Sequence, residues 1–169
     1  MDVRVKKVSE DAVLPKYATT GAAAFDLVAT EEVVIAPGET KRVPLGLAFE
    51  VPEGYVLIIA MRSGISVKTK LRQPNGIGVI DSDYRGEVSM LFDNTNEVFA
   101  AGTNVIYFVD GKFGNHTEFV QEGTYLIKKG DRVAQGFIME TPKINLVEAN
   151  ELTETERGVG GFGHTGVQS

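Results

Sequence analysis

Short apolar runs, each closed by a glycine or proline turn, set the main constraint on how this 169-residue chain folds. Runs at residues 3–5, 33–35, 42–49 and 55–60 have the length and the β-branched or aromatic content of strands. So do those at 87–92, 105–109, 125–127 and 132–138. Between them stand the turn signals Ala36-Pro37-Gly38-Glu39, Pro52-Glu53-Gly54 and Lys129-Gly130-Asp131. No long segment keeps a 3.6-residue apolar period. One short helix is expected over about residues 63–70, with Ser63 as its cap. This spacing predicts an all-β sandwich or barrel. The length suits a single domain over residues 1–169.

Composition removes several classes of function. Without cysteine there are no disulfides, thiol nucleophiles or thiolate metal sites. That fits a reducing cytoplasm. The first residues do not form an apolar leader. No run approaches the ~20 apolar residues that cross a membrane. With 17 basic and 23 acidic residues the net charge is -6, which repels a polynucleotide at long range. A small phosphorylated ligand remains compatible, because local arginines, backbone amides and a metal ion override the global sign.

Five segments carry chemistry. The richest is Gly78-Val79-Ile80-Asp81-Ser82-Asp83-Tyr84-Arg85-Gly86, a strand entering a turn with two carboxylates, a ring and a guanidinium between glycines. A carboxylate here suits a general base or a cation held through water, and a solvated surface hairpin is the alternative. Arg62-Ser63-Gly64 follows an apolar strand and suits phosphate oxygens, or is an ordinary cap. Gly130-Asp131-Arg132-Val133-Ala134-Gln135 reads as a turn into a strand, with an Asp131–Arg132 pair as its structural reading. Gly21-Ala22-Ala23-Ala24-Phe25-Asp26-Leu27 reads as a tight strand entry. The glycine-rich end is either a disordered terminus or an arm. As an arm it would close over an anionic ligand with Arg157 on phosphate and Phe162 on a base.

Other chemistries fit poorly. Gly158-Val159-Gly160-Gly161-Phe162-Gly163 matches G-x-G-x-x-G but lacks the strand before it and the helix after it. Gly111-Lys112 precedes phenylalanine, so it is no P-loop. The two histidines, His116 and His164, lie in polar or glycine-rich stretches that suit neither a triad nor a histidine metal site.

In order, the five segments resemble the five motifs of the trimeric dUTP pyrophosphatases (dUTPases), spread over nearly the whole chain. The resemblance implies a jelly-roll-like β-barrel in a homotrimer, with active sites shared between subunits and closed by a C-terminal arm, residues 156–169. It implies hydrolysis of dUTP to dUMP and diphosphate, with Mg2+ on the triphosphate and water attacking the α-phosphate. Asp81 resembles the residue that orients the water and contacts the sugar 3′-hydroxyl. Tyr84 resembles the ring that excludes a 2′-hydroxyl. Asn75 and Gly78 resemble the hairpin that reads uracil. Arg62, Ser63, Gly64 and Gln135 resemble the phosphate set, and Asp26 the carboxylate that reaches magnesium through water. Arg157, Phe162, Gly163 and Thr165 resemble the arm's contacts to γ-phosphate and base.

Two departures matter. His164 stands where the family commonly has serine. Residues 95–121 lengthen the connection from Asn94 to Gly130, as inserts do in phage-encoded members. There the resemblance implies contact with a regulatory protein of repressor type; a decorated surface hairpin is the alternative. The location implied is the cytoplasm, the host's if phage-encoded. The related dCTP deaminases carry a catalytic glutamate at the place held here by Leu91, which argues against that activity. A binding module with secondary catalysis is the remaining rival.

Overall fold

The computed structural model of the chain describes residues 1–98, 100–164 and 166. In chain order the strands are β1 (Arg4–Lys7), β2 (Phe25–Val28), β3 (Val33–Ile35), β4 (Thr40–Glu50) and β5 (Tyr55–Met61). The helix α1 (Ser63–Lys68) follows, then β6 (Leu71–Arg72), β7 (Gly78–Ile80), β8 (Val88–Asn94) and β9 (Gly102–Phe108). The last three are β10 (Phe113–Gln121), β11 (Tyr125–Ile127) and β12 (Arg132–Glu140). They form three four-stranded sheets ordered β1-β4-β8-β6, β2-β12-β5-β7 and β10-β9-β11-β3.

Side-chain alternation explains how the sheets close on one core. Along β8, Val88, Met90, Phe92 and Asn94 are buried while Ser89, Leu91 and Asp93 face outward, the period of two that a strand imposes. β5 lies between β12 and β7, and its Val56, Leu57, Ile58 and Ile59 are all buried, as in a strand covered on both faces. Leu27, Ile35, Val43, Leu45, Leu57, Phe92, Ile127 and Val133 fill the centre. Asn94 ends β8 inside this core. Its amide donates to the Ile35 and Gly123 carbonyls, so the buried polar group is satisfied. None of the helices described is long and apolar enough to cross a membrane.

The helix corrects one local expectation. Arg62, with φ −71° and ψ 135°, occupies the cap position, and no side chain caps the helix there. Ser63 is already helical. The helix stops at Lys68 because Thr69 turns extended and both its N–H and its hydroxyl donate to the Ile65 carbonyl.

Residues 95–121 are only partly an appendage. β9 pairs with β11 in parallel, Ile106 is buried, and the Tyr107 ring packs against Tyr125. β10 is the edge strand, turned back at Asp110-Gly111, where Gly111 takes φ +84°. Asp110 accepts the Lys112 N–H, and that bond holds its carboxyl below the usual carboxylate range. Phe108 carries the Lys128 ammonium 3.7 Å from its ring centre. Phe99, in the same segment, lies outside the described residues.

Candidate active site

Strand register assembles the first cluster. Gln135 of β12 stands opposite Asp26 of β2 on one side and Ala60 of β5 on the other. β5 then leads directly into Arg62 and the turn Arg62-Ser63-Gly64. The Asp26 carboxylate, 19% exposed, accepts Arg62 Nε at 2.9 Å and Arg132 Nη1 at 2.9 Å. Arg62 pairs with Asp26 through Nε, and among the described residues no hydrogen bond engages its terminal nitrogens, whose fork geometry suits phosphate. Ser63 and Gly64 are exposed beside it, with open space where a Gly64 side chain would stand.

Arg132 therefore pairs with Asp26 across 106 residues, not with Asp131 as the local sequence suggested. Asp131 instead accepts the Lys128 N–H and tightens the turn before β12.

A second cluster forms at the other end of β5. β7 pairs with β5 so that Gly78 faces Ile59 and Ile80 faces Leu57. A side chain at Gly78 would press on the Ile59 side chain, 3.2 Å away, so glycine suits the close approach of β7. After Ile80 the chain turns, with the Tyr84 N–H donating to the Asp81 carbonyl. Asp81, Tyr84, Arg42, Ser89 and Leu91 line an open cleft of about 330 Å³. The Tyr84 hydroxyl donates to the Glu87 carbonyl, and its ring lies over Gly86 so closely that any side chain there would overlap it. Asp83 points elsewhere, into a charged cleft with Arg4, Arg85 and Lys143. The two aspartates are thus separated by the turn.

Leu91 is apolar in the Asp81 cleft, and the neighbouring Glu87 carboxylate accepts the Gly46 N–H. That bond serves a backbone kink, because Gly46 has φ +66° at the register shift between β4 and β8.

The arm forms a local unit of its own. Arg157 Nε donates to the Gly160 carbonyl, and the His164 ring packs on Gly160. Arg157, Gly161, Phe162, Gly163 and His164 line an open depression of about 510 Å³ formed by arm residues alone. Phe162 is fully exposed.

Known proteins fit this arrangement. A model of the dUTPase family matches residues 10–103. A deoxyuridine 5′-triphosphate nucleotidohydrolase from Nautilia profundicola is 40% identical over 98% of this chain and 99% of its own. The chain belongs to the dUTPase family. The Helicobacter pylori enzyme of the same name is 34% identical over 99% of this chain and 98% of its own. Among solved structures, the Staphylococcus bacteriophage 80alpha dUTPase bound to dUpNHpp superposes with a TM-score of 0.92 at 32% identity. It covers 98% of this chain and 99% of its own. It is described as controlling transfer of virulence genes by a proto-oncogenic G protein-like mechanism. The dUTPase of phage phi11 of S. aureus, described with a species-specific insert, gives 0.85 at 29% identity over 92% of this chain and 100% of its own.

In this dUTPase-family chain, Asp26, Arg62 and Gln135 meet, with Ser63 and Gly64 alongside, and Asp81 meets Tyr84. The two clusters do not meet each other. Arg62 lies five residues along β5 from Leu57, which faces Ile80, and at ~3.3 Å per residue that separates them by roughly 16 Å. Among the described arm residues, Arg157, Phe162, Gly163 and His164 line a depression of their own and neither cluster's cleft. Thr165 lies outside the described residues. Three residues of the site escape local sequence reasoning. They are Arg132, which shares Asp26; Glu87, which holds Gly46; and Gln73, whose side chain reaches the backbone of β5.

Proposed function

We propose that this chain hydrolyses dUTP to dUMP and diphosphate; its relatives are named deoxyuridine 5′-triphosphate nucleotidohydrolases. One observation carries the reading. A fork-presenting Arg62 beside Gln135 and an Asp81–Tyr84 cleft sit at opposite ends of a single strand. In the proposed reaction Asp81 takes the proton of the attacking water at the α-phosphate, and the Tyr84 ring sits under deoxyribose. Asn75 and the Gly78 backbone meet the uracil edge. Arg62, Ser63, Gly64 and Gln135 bind phosphate oxygens.

A general base works within hydrogen-bond reach of its proton or through one water. A backbone separation of roughly 16 Å along one strand favours drawing the two groups of a site from different copies. Each site therefore takes its base cleft from one copy and its phosphate turn from another, as in a homotrimer. Among the described residues the last backbone bond from the chain's C-terminal stretch to the body is Thr141 N–H to the Gly54 carbonyl, and the arm beyond it closes the site with Arg157, Phe162, Gly163 and Thr165.

Mg2+ bound to the triphosphate would neutralise charge developing on the phosphates. Asp26 fits a role through water, because each of its oxygens gives one lone pair to an arginine and keeps another. Among the described residues no three acidic or imidazole side chains converge, so the phosphates would supply the inner ligands.

A pyrophosphate-release assay with dUTP, dCTP, dTTP and UTP in Mg2+ tests the reading. Release from dUTP alone is expected. Equal release from dCTP, or none from dUTP, refutes it. A related outcome follows from Gly86. Gly86→Ala displaces the Tyr84 ring, so discrimination of dUTP over UTP should fall by about 10-fold, the order expected when a fitted pocket loses its shape. Comparing kcat/KM for the two nucleotides decides it.

A second role as a regulator that binds a repressor-type protein is supported by Phe113 and Phe119 of β10, 69% and 72% exposed. Membership among phage-type enzymes rests on the phage neighbours.

A further inference from the structure

We propose that Gln73 is a positioning residue that sets the base-reading loop against β5 and thereby contributes to base selection. The inference rests on the assignment of Asn75 and Gly78 to the uracil edge.

The geometry begins with a gap in a sheet. β7 ends its pairing at Gly78, opposite Ile59, but β5 runs on through Ala60 and Met61. Residues two apart on a strand direct their N–H and C=O groups to the same neighbour. Among the described residues no strand backbone pairs with Met61 on the β7 edge, although a half-buried backbone group needs a partner. The Gln73 primary amide supplies it. Its Oε1 accepts the Met61 N–H at 2.9 Å, and its Nε2 donates to the Ile59 carbonyl at 3.3 Å. A side-chain amide has one acceptor and a donor pair in one plane, so it replaces the missing strand residue.

The backbone of Gln73 is engaged as well. Its carbonyl accepts the Gly76 N–H at 3.1 Å, and the next bond runs from the Ile77 N–H to the Asn75 carbonyl at 2.7 Å. Gly76 takes φ +70°, a conformation that turns the loop back toward β7. Residues 73–77 are thus a tight turn with Asn75 at its centre, anchored by a single amide to the strand that leads into Arg62. Gln73 also follows β6, which belongs to the β8 sheet, so the same residue stitches two sheets at the loop.

Leucine keeps the bulk of glutamine and removes both bonds. Gln73→Leu is expected to raise KM for dUTP and to lower the dUTP-to-dCTP ratio of kcat/KM by about 10-fold. That is the order expected from two lost hydrogen bonds and an unpaired amide. kcat should change much less than KM. Amide exchange at Met61 should accelerate by about 10-fold as its partner disappears. Gln73→Glu keeps the acceptor for Met61 but sets a carboxylate against the Ile59 carbonyl, so it should restore Met61 protection only in part and leave base selection impaired.

Three results overturn the proposal. One is an unchanged dUTP-to-dCTP ratio in an active Gln73→Leu enzyme. Another is unchanged Met61 exchange. The last is a uniform fall in kcat for all nucleotides with a lowered melting temperature, which would mark a structural role. Wild-type protein inert on dUTP would overturn the functional reading itself and this proposal with it.

Discussion

Asp81→Asn is expected to bind dUTP nearly as tightly as the unaltered chain and to turn it over about 10²–10⁴-fold more slowly, the usual worth of a positioned general base. Asparagine keeps the size of the side chain and its contacts at the end of β7. It cannot take a proton from water. Among the described residues no ion pair ties the Asp81 carboxylate, which is exposed in the cleft with Tyr84. Asp83 is the internal control, because it points into a separate cleft with Arg4 and Lys143. Asp83→Asn should leave turnover within about 2-fold, as surface changes away from a site do. Single-turnover measurements on both variants, with binding followed by a non-hydrolysable dUTP analogue, separate chemistry from affinity. Near-normal turnover in Asp81→Asn, or an equal loss in Asp83→Asn, would remove Asp81 as the base.

Local pattern carried the reading where side chains alternate or motifs are dense. β8 and β12 are legible because buried and outward residues alternate or run apolar between turns, and both are strands. β10 is not, because Phe113-Gly114-Asn115-His116-Thr117 has weak strand propensity and is held by its partner, with a register shift between Asn115 and Val120. Ser63 looks like a cap because hydroxyls favour that place, yet the extended backbone of Arg62 takes it. The partner of Arg132 is invisible locally, since Asp26 reaches it only through strand pairing. Gln73 is hidden for a related reason. A side chain that substitutes for strand backbone leaves no periodic mark. The motif residues themselves were legible as a set, but their division into two separated clusters follows only from the register of β5 with β7 and β12.

That division makes the second large effect a test of assembly as well as of the arm. Removing residues after Glu156 is expected to leave a folded trimer and to lower kcat/KM by about 10²-fold or more, since a cation aimed at phosphate and a lid that excludes water are both lost. The body should not unfold, because the contacts of the described arm residues stay within the arm: Arg157 with Gly160, and His164 against Gly160. Size-exclusion chromatography with light scattering checks the assembly, and steady-state kinetics the activity. The stronger experiment mixes the truncated chain with Asp81→Asn by co-refolding at equal amounts. If a site draws its base and its arm from different copies, a site with Asp81 from a truncated chain and an arm from an Asp81→Asn chain is complete. Random assembly produces such sites at one half times one half, so about a quarter of wild-type activity should return in a symmetric trimer. If base and arm came from the same chain, neither chain would hold both, and the mixture would stay as inactive as its parts.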